Sequence, residues 1–134
     1  KTQQARQDRS KLIDTLDEEQ ESVRTLSSQI REVTEEIGKL EEKAAAAGRF
    51  DSFVDIRSRL LTIESTSESL LATRQETLTE QRKTLSLPID APDVPTYLYK
   101  EMDVTYPLLA SIADILSKRN SLQARVERGM VYAR

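Results

Sequence analysis

The sequence predicts an all-α fold: a long antiparallel coiled-coil hairpin plus a third helical segment, together an elongated helical bundle. Three observations predict it. Apolar residues recur at seven-residue intervals from Leu12 to Ala47, the pattern of a coiled-coil seam. The run stops at Gly48, and a second apolar run of similar length comes after it. Only 3 Gly and 4 Pro occur among 134 residues, while 32% are charged and 4% aromatic, a composition suited to long helices rather than sheets.

The first ten residues, KTQQARQDRS, are polar and expected to fray, with Ser10 a candidate cap for the helix that begins beside it. The hairpin is expected over 11–86. One seam position holds Leu16, Val23, Ile30, Ile37 and Ala44; the other holds Leu12, Glu19, Leu26, Val33, Leu40 and Ala47. Gly38 inside this helix costs about 1 kcal/mol relative to Ala, which the rest of the seam must outweigh. The helix closes in four alanines and Gly48. Gly48 is expected to take the positive φ that ends a helix. The turn is placed near 48–51, built on Ala47, Gly48 and Phe50, with Asp51 or Ser52 capping or charge-stabilising the next helix.

The second arm carries Phe53, Ile56, Leu60, Ile63 and Leu70 at 3–4 spacing, then Leu71, Leu78 and Leu85. The eleven-residue step from Leu60 to Leu71 relaxes the supercoil there. The arm is expected from Phe50 to Ser86. Folding the chain at Gly48 brings Ala44 near Phe53, Ile37 near Leu60, Val33 near Ile63, Leu26 near Leu70 or Leu71, and Leu12 near Leu85. Pro88, Pro92 and Pro95 then forbid continuous helix, so 87–95 is a linker. Residues 96–134 are expected to form a short helix from Pro95 and a C-terminal helix from Tyr106 to Tyr132, packed on the hairpin or on a second chain. The apolar set of that helix is Leu108, Ile112, Ile115, Leu122, Val126 and Ala133, widened by Leu109, Leu116 and Met130.

Glu19 is the one charged residue in a seam position. A long side chain there can snorkel to water, or it can set register. In a parallel homodimer two copies of Glu19 would repel. In the hairpin Glu19 falls opposite Leu78, with Arg74 and Arg82 one turn to either side.

The residues around the turn resemble the UVR-type helical hairpin found in bacterial nucleotide-excision-repair subunits and in regulators of Clp proteases. The resemblance rests on Ala44, Ala45, Phe50, Ile56, Arg57, Leu60, Ile63 and Glu64, within 21 of the 134 residues. The small pair usual after that Phe is replaced by Phe53 and Val54. The resemblance implies protein–protein contact.

The chain has no His and no Cys, which removes the commonest general base, the thiol nucleophile and the usual zinc ligands. Its scattered glycines cannot build a phosphate-cradling loop. No enzymatic activity, cofactor, metal site or small-molecule substrate is expected. No apolar run is long enough to span a bilayer, and the lack of Cys suits a reducing compartment. An intracellular location, cytoplasmic or cytoskeletal, is expected. Net charge is −3, so nucleic acid is not an expected partner. The charge is unevenly spread: ten acids against three bases over 14–42, and five bases against one acid over 118–134.

These features point to a non-enzymatic interaction and assembly module that pairs with other helical proteins or with itself as a homo- or hetero-oligomer. The first residue is Lys and the chain stops abruptly at Arg134, so it reads as a piece of a larger scaffold of cytoskeletal, ciliary, trafficking or chromosome-segregation type. Two alternatives stand beside this. One is a compact adaptor that binds one partner through Tyr97, Tyr99, Met102 and Tyr106, with Leu109 and Leu116. The other is a polyanion- or membrane-surface-binding module that uses Lys118, Arg119, Arg125 and Arg128.

Overall fold

A computed structural model describes residues 2–87 and 107–133. They form three α-helices: α1 (Thr2–Ala46), α2 (Phe50–Thr84) and α3 (Pro107–Ala133). The expected short helix near Pro95 and most of the linker lie outside the described residues.

Long-range ion pairs fix how the helices run. Glu19 of α1 meets Arg74 of α2, and Glu36 meets Arg59. Ascending α1 therefore means descending α2, and the two are antiparallel. Glu64 of α2 meets Arg119 of α3, and Arg57 meets Glu127, so α3 is antiparallel to α2 and parallel to α1. The chain is an up–down–up bundle, and the third helix packs within the same chain.

Each helix contributes a stripe to one core: Leu26, Ile30, Val33, Ile37 and Leu40 from α1; Phe53, Ile56, Leu60, Ile63 and Leu70 from α2; Leu108, Ile112, Ile115, Leu122 and Val126 from α3. Val23, Ala44, Ala47, Leu71, Leu116, Met130 and Ala133 pack against it, partly buried. A buried Leu or Ile is worth about 1.5–3 kcal/mol, so this shared core, rather than helix propensity, holds three long helices together.

Several expectations are corrected. The polar lead is helical from Thr2, although no side chain from Gln3 to Asp14 is buried. Leu12, expected in the seam, is 46% exposed and its neighbour Ile13 51%. Leu16 and Leu85 are half-buried, and Thr15 takes the buried position at this end. The reason is phase. An unsupercoiled helix drifts about 20° per heptad, so Leu12 has rotated roughly 40° from Leu26, whereas an eleven-residue step keeps face. Thr15 lies that step before Leu26. Reach adds to this. Counting from the Arg119–Glu64 contact, the start of α3 falls beside Arg74 and hence beside Glu19, so no residue of α3 extends down to Leu12.

The turn also differs. No glycine among the described residues has positive φ, Gly48 included. α2 is instead entered through Arg49, extended at φ −114° and ψ 143°, with no side-chain cap bond. Asp51 and Ser52 sit inside the first turn, where Asp51 still favours the positive end of the helix dipole. The left-handed residue is Ser86, φ 52°, at the other end of α2. There the Leu87 N–H donates to the Arg82 carbonyl at 3.0 Å and the Ser86 N–H to the Lys83 carbonyl at 3.1 Å. This is a Schellman closure with Ser where Gly is the usual choice.

Where α2 and α3 meet near the turn, a glycine does have a specific role. A Cβ built on Gly129 would lie 2.7 Å from the Phe53 ring. The missing side chain lets α3 seat against a large aromatic residue.

This packing is testable at two positions. Gly129→Ala is expected to lower thermal stability by about 1–3 kcal/mol through overpacking, and Phe53→Leu in the same chain is expected to recover part of that loss. An Ala variant that melts with the parent would refute the contact. Ser86→Gly is expected to stabilise by about 1 kcal/mol by removing left-handed strain from a residue with a Cβ; a lowered melting temperature would contradict the assignment.

Candidate functional site

Charged and polar groups with a structural or binding role collect in three places: a buried lock between α1 and α2, a buried pin between α3 and α2, and the outer faces of the bundle.

The lock is built on the seam itself. In α2 one heptad position reads Phe53, Leu60, Ser67, Arg74 and Gln81, all of them buried. Toward its C-terminus this stripe turns polar, and so does the facing part of α1, with Thr15 and Glu19. Arg74 Nη1 donates to Glu19 Oε1 and Nη2 to Oε2, each at 2.7 Å, a two-pronged contact. Nη1 also reaches Ser22 Oγ at 3.0 Å, and Gln81 Nε2 donates to Glu19 Oε1 at 3.0 Å. The two charged side chains are 3% and 1% exposed, so Glu19 does not snorkel to water. Thr15 returns its hydroxyl to the Lys11 carbonyl at 2.8 Å, which lets a polar residue stand in the core. Gln81 Oε1 and Ser67 Oγ are buried without a hydrogen-bond partner.

The pin is Arg119. Sequence reasoning grouped it with a surface basic set, yet it is buried. Its Nε donates to the Leu60 carbonyl at 3.0 Å, and its Nη1 reaches Glu64 Oε2 at 2.6 Å and Asn120 Oδ1 at 2.8 Å. A helical carbonyl already serving α2 thus accepts a second donor from α3. Arg119 is committed to the fold and is withdrawn from any polyanion surface.

The outer faces carry opposite signs. On the side of the α1–α2 seam that α3 leaves open there are two grooves, of about 660 Å3 and about 300 Å3. Leu26 and Leu70 floor the larger, and Val33 and Ile63 the smaller, so the expected facings of those two pairs are met. Glu18, Glu21, Glu76 and Glu80 rim the larger; Glu32 and Glu36 rim the smaller, against a single Arg59. Arg59 is occupied by Asp55 at 3.3 Å and Glu36 at 4.0 Å. On α3, Lys118, Arg125 and Arg128 are exposed. Lys118 pairs with Asp114 at 3.1 Å, whereas Arg125 and Arg128 form no ion pair among the described residues.

A family profile matches residues 1–123. The chain belongs to the DUF7260 family. DUF7260 is described as a domain of unknown function, and its match runs through α1 and α2 and most of α3. Neither a curated protein nor a solved structure matches the chain. The DUF7260 match has no bearing on the UVR-type hairpin; of the residues that carried that resemblance, Ile56, Leu60 and Ile63 are core, Glu64 holds Arg119, and Arg57 pairs with Glu127 at 3.6 Å.

The other expected site residues of this DUF7260 chain are dispersed. Tyr97, Tyr99, Met102 and Tyr106 lie outside the described residues. Leu109 and Leu116 are half-buried, Leu116 against the core, and so offer little free surface. Ala47 and Phe50 are half-buried at the turn and Gly48 is exposed. Sequence reasoning missed Arg74, Gln81, Ser67 and Arg119 as buried groups. The signal for the first three was their seven-residue spacing from Leu60. No helix among the described residues is long and apolar enough to cross a membrane.

Removing one partner from a buried ion pair strands the other, at a cost on the order of 3–5 kcal/mol, while replacing both with apolar residues is often near neutral. Glu19→Ala is therefore expected to lower the unfolding free energy steeply, and Glu19→Leu with Arg74→Met to cost far less than either single change. Denaturant melts in which the double change equals the sum of the singles would show that the two groups act independently.

Proposed function

We propose that the chain is a non-enzymatic interaction and assembly module, a rigid helical rod whose outer faces dock other helices. The observation that carries this reading is the separation of charge on the three-helix bundle. One groove system is lined by six Glu and a single, already paired Arg, and the exposed face of α3 bears Arg125 and Arg128. Opposed charge patches of this kind steer association and fix register more than they add affinity. The grooves have apolar floors and hydroxyl-bearing flanks, with Thr25, Ser69, Thr73 and Thr77 beside Leu26 and Leu70. That is the lining a docking helix reads.

α1 supports the same role. At 45 residues it is roughly 67 Å long, ten residues longer than the 35 of α2, and its exposed end carries Leu12 and Ile13. A rod of this length holds bound partners a set distance apart, as scaffold parts of cytoskeletal, ciliary, trafficking or chromosome-segregation type do. The proposal places the module inside the cell, in the cytoplasm or on the cytoskeleton.

The test is a photo-crosslinking side chain placed at Gln29, on the wall of the larger groove, in the producing cell. A discrete adduct is expected there, and none is expected from the same group at Glu35, which is exposed on α1 but lines neither groove. No adduct at Gln29, or equal labelling at Gln29 and Glu35, would remove the reading.

A further inference from the structure

We propose that the open α1–α2 groove receives the basic face of α3 from a second copy of this chain. The inference rests on the reading of the chain as an interaction module and names its partner. Three observations carry it.

The first is position. α3 covers one side of the α1–α2 seam, and no α3 residue lines the grooves on the other side. A helix laid there would make a fourth member of the bundle, over the floor of Leu26, Leu70, Val33 and Ile63. Helical grooves of this kind take helices.

The second is charge. Glu18, Glu21, Glu32, Glu36, Glu76 and Glu80 face the opening. Glu21 pairs with Arg24 at 3.3 Å and Glu80 with Lys83 at 3.7 Å, but all four side chains are 68–72% exposed. Exposed pairs within one helix are weak and leave the rim acidic. On α3, Lys118, Ser121, Arg125, Arg128 and Tyr132 recur at 3–4 spacing, which is one helical face. All five are exposed, and Tyr132, at 88%, is more open to solvent than Leu12, Ile13 or Val131. These five residues carry three cations and no acid; Asp114, one turn before Lys118 on the same face, pairs with it at 3.1 Å, which leaves Arg125 and Arg128 as the cations with no ion pair among the described residues.

The third is length. Lys118 to Tyr132 and Glu18 to Glu32 are each 15 residues, 14 steps along the helix, roughly 21 Å. Running the second copy's α3 antiparallel to α1 sets Lys118 level with Glu32 and Arg128 level with Glu21 and Ser22. The parallel direction would set Arg128 level with the neutral Ser28, so antiparallel docking is favoured. Each copy owns both a groove and a stripe, on different sides of the bundle, so the contact is head-to-tail and can repeat from copy to copy.

Sedimentation equilibrium of the whole chain over a concentration series tests this. At low ionic strength the mass is expected to rise from 15.2 kDa through twice that value to larger species as concentration increases. Raising salt is expected to weaken the association on the order of tenfold or more, because the contacts are exposed charges. Glu21→Lys with Glu32→Lys in one chain, and Arg125→Glu with Arg128→Glu in another, should each give a monomer. All four positions are exposed, so both chains should keep the parent's helical circular dichroism. Mixing the two reversed chains should restore a one-to-one complex, since a basic groove then meets an acidic stripe. A parent that stays monomeric overturns the proposal, and so does self-association that survives both reversals or a mixture that stays unassociated. A monomeric parent that heparin retains through Arg125 and Arg128 overturns it in favour of a polyanion surface. A monomeric parent that still gives a foreign adduct at Gln29 removes self-docking while leaving the module reading intact.

Discussion

The contact between Arg74 and Glu19 constrains everything around it. An apolar seam of Leu, Ile and Val between two helices is tolerant: such side chains slide past one another by a heptad with little change in buried area. A buried guanidinium is not tolerant. It must find a carboxylate in the right plane, or it remains as an unsatisfied charge in a medium where that costs several kcal/mol. The two 2.7 Å bonds between these side chains set the level at which α2 lies against α1. Ser22 and Gln81 complete the arrangement from both helices. The lock gives specificity at some expense in stability, since an apolar pair of similar volume would hold the same space at lower desolvation cost.

Arg119 does for the third helix what Arg74 does for the first. It reaches into α2 from α3 and meets both a carboxylate and a backbone carbonyl. α2 is therefore the central strut, held to α1 near one end and to α3 near its middle. The bundle grades along its length. Near the turn the core is tight and apolar, with Leu40, Ile56, Leu60 and Val126 almost wholly buried and Gly129 admitting the Phe53 ring. Toward the Thr15 end the buried groups are mostly polar, and Ser67 Oγ and Gln81 Oε1 have no partner. Local opening should begin where apolar burial is thinnest and unmet polar groups are most frequent.

How far the sequence disclosed this depends on the residue. Leu26 through Leu40, Phe53 through Leu70, and Leu108 through Val126 are legible because an apolar side chain on a repeating face has one use, burial. The same logic placed Val33 by Ile63 and Leu26 by Leu70. It misled at Leu12, because heptad counting assumes a supercoil and a straighter helix drifts out of phase over two repeats. It misled at Gly48, where an extended Arg49 makes the turn and the left-handed residue is Ser86. Arg119 was illegible for another reason. A buried Arg and a surface Arg look alike in a helical sequence until the partner carboxylate is known to face it. Glu19 was noticed because a carboxylate broke a visible seam, and Arg74 was placed within a turn of it; its burial was missed because it lies in a stripe already turned polar, where nothing was broken.

The surface is a consequence of the interior. Once Arg119 is committed to α2, the basic character of α3 reduces to its outward face, and once α3 occupies one side of the seam, the acidic groove on the other side is what remains open. All of this depends on α1 and α2 lying side by side in opposite directions. Pulsed electron–electron resonance between spin labels at Thr25 and Ser69, which flank the same groove, measures that directly. The account gives a narrow distribution on the order of 10–20 Å, as for labels on adjacent helices. A distance of roughly 66 Å, the rise of 44 helical residues, would mean one continuous rod and would contradict it.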